Sequence, residues 1–142
     1  MTSKEQKEEM SQIFKQFQKK YKQLKEVKLE FKQDEKFKYQ GRSQINIVGS
    51  FTTIGKNRFK KIQPISIELI EGIGNIKYTL LHEITHCISK YRERKIKDEW
   101  IVLDHGDDFY KNYHEVLKYA FELKIIEKKF EIHEIKKFDI RC

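Results

Sequence analysis

Leu80-Leu81-His82-Glu83-Ile84-Thr85-His86 is the stretch on which the reading of this chain turns. Ile76, Leu80 and Ile84 recur at four-residue steps, with Leu81 and Ile88 beside them. The segment from Ile76 to about Tyr91 therefore reads as a helix with one buried face. Helical residues four apart stand one above the other, so the imidazoles of His82 and His86 project from the same side. Two such rings can close on one small cation. Zinc suits nitrogen donors in a tetrahedral site and acidifies the water it holds. Glu83, next to the first ring, is placed to take a proton from that water and pass it to a leaving amine. His82 and His86 are thus candidate metal ligands and Glu83 the candidate catalytic base.

Catalytic zinc commonly has three protein ligands and one open position. The other histidines are His105, His114 and His133. His105 is the preferred third ligand. It lies in Asp104-His105-Gly106-Asp107-Asp108-Phe109, where glycine lets the backbone turn and a helix follows, its first turn acidic as a helix N-terminus favours. Phe109, Tyr113, Val116, Leu117, Ala120 and Phe121 form that helix's apolar face. A carboxylate third ligand, Asp108 or Glu115, is the alternative. Asp104 is a candidate to orient a ligating imidazole. His114 suits a substrate-facing role inside the helix, and His133 a structural one in the tail.

Upstream, Met10, Ile13, Phe14, Phe17, Tyr21 and Leu24 step by three and four, which predicts an amphipathic N-terminal helix from about Ser3 to Val27 with lysines on its solvated side. The period then becomes two. Lys28–Lys32, a segment around Ile45 and Ile47, and Phe59–Leu69 read as strands of a small, mostly antiparallel sheet. Gly49 suggests a bulge, while Gly41-Arg42-Ser43 and Gly55-Lys56-Asn57 look like turns. Pro64 lacks an N–H and implies an open strand edge. Gly72-Ile73-Gly74-Asn75 breaks the chain before the histidine helix, with Asn75 as its cap. Arg92 to Leu103 reads as a charged connector, and Phe130 to Ile135 as a last strand.

The chain has 142 residues, the size of one domain, and its expected core spans about residues 28–123 of a single α+β, zincin-like unit. Charged residues make up 37%, mean hydropathy is -0.77 and the net charge is +8, a balance that suits acidic partners such as nucleic acid. Cys87 and Cys142 form no CxxC pair and no disulfide framework. With a charged N-terminus and no long apolar run, the composition points to a soluble, intracellular protein without a membrane segment.

The motif at residues 80–86, followed by His105-Gly106-Asp107-Asp108-Phe109, resembles the SprT-like (Spartan-type) and WLM metallopeptidase domains, which pair an HExxH helix with a later His, commonly followed by Gly or Asp and then an aromatic three or four residues on. The resemblance covers about Ile62 to Phe121. Eighteen residues, 87–104, separate the second and third histidines, nearer the SprT-like arrangement than the WLM one, with Arg92–Leu103 as an inserted loop near the cleft. The resemblance implies a zinc-dependent protease acting on DNA-bound or DNA-crosslinked proteins. On this reading a peptide adds to the strand near Ile65-Ser66-Ile67, and Tyr91, Arg92 or Tyr110 assists the oxyanion. The rival readings are a basic nucleic-acid-binding module with a structural zinc, and a zinc hydrolase of non-peptide substrates.

Overall fold

The computed structural model describes residues 3–33, 40–71 and 75–138. Four helices and a five-stranded mixed sheet make an α+β fold. The N-terminal helix α1 (Ser3–Lys20) ends where Tyr21 turns extended, and a 3-10 turn, Lys22–Leu24, follows. Met10, Ile13, Phe14 and Phe17 are buried along one face, as their spacing predicts. The predicted helix runs past the observed end because Leu24 completes the stripe from the 3-10 turn instead.

The sheet is built on a long hairpin of β2 (Gly41–Ile54) and β3 (Asn57–Ile70), closed by the two-residue turn Gly55-Lys56. Gly55 has φ of 60°, the left-handed backbone that a tight hairpin turn requires. Strand β1 (Lys28–Lys32) pairs with residues 66–70 of β3 in parallel, and the other pairings are antiparallel. The mostly antiparallel sheet expected from the sequence is therefore mixed at one edge. A parallel neighbour leaves no mark on a five-residue alternation.

Gly41 is not in a turn but opens β2. A Cβ there would stand 2.8 Å from the Thr79 methyl and 3.0 Å from the Glu68 carbonyl oxygen, so glycine serves close approach rather than chain reversal. Pro64 sits beside an irregularity where Ile65 is passed over between Gln44↔Ser66 and Ile45↔Pro64. Gly49, with φ of 84°, lies in a second irregularity between Val48 and Thr52, where the sequence places a bulge.

The histidine-bearing helix α2 (Ile76–Ile88) packs on β2 and β3 with Leu80, Leu81 and Ile84 fully buried. Asn75 occupies its N-cap, but its side chain makes no capping bond; its carbonyl accepts from the Thr79 amide at 3.1 Å.

The predicted connector is a hairpin, β4 (Tyr91–Ile96) and β5 (Glu99–Val102), attached to the sheet through β3 residues 57–60. Its turn residues Lys97 and Asp98 have φ of 50° and 66°, the paired positive values of a type I′ turn without the usual glycine. Helix α3 (Asp107–Glu122) packs against α2 and buries Phe109, Tyr113, Val116, Leu117 and Ala120.

The predicted last strand is a short helix, α4 (Ile132–Phe138). The Glu131 amide donates to the Glu134 carboxylate at 3.0 Å, half of a capping box. No helix among the described residues is long and apolar enough to cross a membrane.

Candidate metal centre and active site

Three side chains from two segments meet at one point. His82 and His86 stand one helical turn apart on α2, and His105 arrives from the segment between β5 and α3. The Nε2 atom of His82 lies 3.2 Å from Nε2 of His86 and 3.2 Å from Nε2 of His105. Ligand nitrogens of all three fall within 4.8 Å of one another. Three imidazole nitrogens this close form a donor set that could hold a metal ion. Burial and the neighbouring rings of His82 and His105 hold His86 well below its ordinary range, so it favours the neutral form a metal needs.

Phe109 forms the floor of this cluster. Its ring centroid lies 5.1, 4.6 and 4.9 Å from those of His82, His86 and His105. It is buried, and it follows His105 by four residues, so a single helix start supplies both the third ring and the surface against which all three rest. Tyr113, one turn further along α3, meets His82 edge-on at 5.7 Å and donates to the Tyr78 carbonyl at 3.4 Å. The aromatic in the His-Gly-x-x-Phe pattern thus has a mechanical task that the pattern alone did not reveal.

Arg92 fixes the approach of His105. Its guanidinium donates to Asp108 Oδ1 at 2.8 Å and to Asn57 Oδ1 at 3.1 Å, tying β4 to the first turn of α3 and to β3. The Leu103 amide donates to the Arg92 carbonyl at 2.9 Å, which closes the hairpin just before Asp104 and His105. Gly106 passes beneath, where a Cβ would lie 3.1 Å from both Arg92 Nη1 and Asp108 Oδ1.

Glu83 is buried on the same helix. The Ser43 hydroxyl lies 3.0 Å from Glu83 Oε1 and 3.0 Å from the Glu83 carbonyl oxygen. One proton serves one of these acceptors at a time, and either bond ties strand β2 to the motif helix. Ser43 went unrecognised in the sequence because its neighbour Gly41 reads as a turn. The alternating register around it is fixed instead by Glu68, which accepts from Arg42 Nε at 2.6 Å and from Gln44 Nε2 at 3.1 Å.

No family model, curated protein or solved structure matches this chain.

The remaining candidates fall outside the cluster. Asp108 is occupied by Arg92, and Glu115 is exposed, so neither carboxylate displaces His105. Asp104 is exposed and hydrogen-bonds to no imidazole among the described residues. His114 is half-buried on α3 and His133 exposed near the start of α4. Tyr91 and Arg92 line a narrow cleft beside His86, together with Ile45 and Phe109. The Tyr91 hydroxyl donates to Glu93 at 3.0 Å, and burial, then Glu93, raises its pKa. Tyr110 is buried against Phe109 at 5.3 Å. The neighbouring thiol, Cys87, is buried and pushed up to about 12, chiefly by loss of solvent, which makes it a packing group rather than a ligand or nucleophile.

The strand segment expected to receive a peptide is covered. Ser66 and Ile67 are buried and paired with Lys28 and Leu29 of β1. The edge beside the histidines belongs to β2, which among the described residues pairs only with β3. Ser43 of β2 touches Glu83, and Ile45 lines the cleft with His86.

Proposed function

We propose that this chain is a zinc-dependent metallopeptidase of the SprT-like or WLM kind. The observation that carries the reading is the convergence of three imidazole nitrogens with Glu83 adjacent to the first of them on one helix. Among the described residues the donor set fits zinc: all nitrogen, no thiolate, and three ligands rather than the four of a closed structural site. When bound, zinc supplies Lewis acidity, polarising a scissile carbonyl and acidifying water.

The chain's own residues carry the remaining steps. A substrate segment pairs in extended form with the edge of β2 that is unpaired among the described residues, which brings its backbone past Ser43 and Ile45. The Glu83 carboxylate accepts the proton of the attacking water and returns it to the departing amine nitrogen, so one new C–O bond replaces the C–N bond. When the Ser43 hydroxyl donates to Oε1 it holds that carboxylate oxygen towards β2. Phe109 holds the three imidazoles in place and excludes water from their inner face.

DNA-bound or DNA-crosslinked proteins are the narrower substrate class. The net charge of +8 supports it, as does the group on the outer hairpins where the Arg58 guanidinium lies 4.0 Å from the Phe51 ring and 4.3 Å from the Trp100 ring. The test is hydrolysis of an unfolded protein by the zinc-loaded chain, with and without single-stranded DNA, alongside metal analysis of wild type and His105→Ala. Stoichiometric zinc in the wild type, its loss in His105→Ala, and chelator-sensitive cleavage are expected. Stoichiometric zinc retained by His105→Ala, or cleavage that survives complete chelation, defeats the reading.

A further inference from the structure

Next to the narrow cleft at His86 lies a recess of about 720 Å³. One wall is the β2–β3 hairpin and the other the end of α2 with the first turns of α3. Val48, Ile54, Phe59 and Ile88 supply apolar lining, and Lys60, Lys61 and Lys90 stand among the lining residues. Lys90 and Asp108 line both the recess and the cleft beside His86, so the two spaces are neighbours that share a wall. The hairpin is shaped for this. Val48 pairs with Lys61 and Thr52 with Phe59, which leaves residues 49–51 opposite Lys60 alone, and Gly49 takes the positive φ that this irregularity uses.

The charge in the recess is one-sided. None of the three lysines has an ion pair or hydrogen bond with a carboxylate among the described residues, while the acid on the wall, Asp108, is neutralised by Arg92 at 2.8 Å. Lys60 Nζ lies 4.4 Å from the Phe51 ring, so its cation rests on an aromatic face and is not neutralised by a carboxylate among the described residues. A volume of this size holds a large side chain together with its flanking backbone. Apolar walls select the side chain, and cations that no described carboxylate neutralises select negative neighbours.

We propose that this recess is the specificity site of the cleft, and that it takes an extended peptide segment bearing one bulky apolar side chain flanked by Asp or Glu. The proposal rests on the peptidase reading for the class of ligand, but its test reads binding rather than turnover. The zinc-loaded full chain carrying Glu83→Gln is titrated with fluorescent ten-residue peptides followed by anisotropy. One peptide has Leu between acidic residues, the second has Leu replaced by Asn, and the third has lysine flanks. The first binds at least about tenfold more tightly than the other two, and Lys60→Glu/Lys61→Glu/Lys90→Glu reverses the order between acidic and basic flanks.

Equal binding of the three peptides, or no binding at all, overturns the proposal. So does an unchanged order in the triple variant. Where the triple variant fails to fold, Lys90→Glu alone, at an exposed position, must reduce the acidic-over-basic ratio, and a ratio equal to the parent's overturns the proposal. Cleavage of unfolded protein by the wild type without any peptide preference removes the specificity site and leaves the peptidase. Selective binding without cleavage does the reverse.

Discussion

Near its base the β2–β3 hairpin carries Ile67 and Leu69 with no exposed surface, whereas towards its tip Ile47, Phe51 and Ile54 stand 45%, 39% and 65% exposed. Both ends use the same alternating, isoleucine-rich sequence. The base lies under α2 and beside β1, so packing fixes it, and there Ser43 meets Glu83. Towards the tip the hairpin is separated from the ends of α2 and α3 by the recess, and its apolar side chains stay exposed. It is held by backbone pairing and by Arg58, which is layered on Phe51 and Trp100 and forked onto Glu93 at 2.7 Å. A strand whose two ends are stabilised by different forces can keep a rigid reacting end while its other end remains open to a ligand.

The largest expected effect tests the base. Glu83→Gln lowers peptide hydrolysis by about 10²–10⁴-fold, the usual contribution of a positioned acid–base group, while zinc content stays that of the parent. Turnover at the parental rate in a zinc-replete variant removes Glu83 from the chemistry. Next, Leu69→Ala at the buried base costs about 2–5 kcal/mol in urea unfolding, because the cavity it leaves is walled by the sheet and cannot collapse.

At the tip, Arg58→Ala costs about 1–3 kcal/mol, since the buried Glu93 carboxylate loses its forked donor and two rings lose their spacer. The smallest effect belongs to Ile54→Ala, within about 0.5 kcal/mol. If Ile54→Ala destabilised the fold as much as Leu69→Ala, the contrast between the two ends would fail.

The sequence announces those elements whose stabilising pattern is local. The stripe of α1, the motif helix, the apolar face of α3, the bulge at Gly49 and the turn at Gly55-Lys56 were all readable from spacing and residue type. So was the meeting of His82, His86 and His105, because a helical repeat fixes two of them and a helix start places the third. What escaped depends on partners distant in the chain. β1 lies parallel to β3, which periodicity cannot express. Gly41 is demanded by Thr79, thirty-eight residues later. The β4–β5 hairpin hides because its strands are charged and its turn is Lys-Asp. The helix α4 hides because Glu131, rather than Ser or Thr, occupies the start of its capping box. At the site, Ser43 was invisible for the same reason as Gly41.

The closure of β4 on β5 by the Leu103 amide and the Arg92 carbonyl has a consequence for how such chains are compared. Everything between those two groups is a detour that leaves and rejoins the same spot. Adding or removing residues in pairs at Lys97-Asp98 would lengthen or shorten the excursion while the ring of His105 stayed where Arg92 and Asp108 anchor it. The interval between the second and third imidazoles is therefore elastic along the chain and fixed in space, and counting it measures ornament rather than coordination.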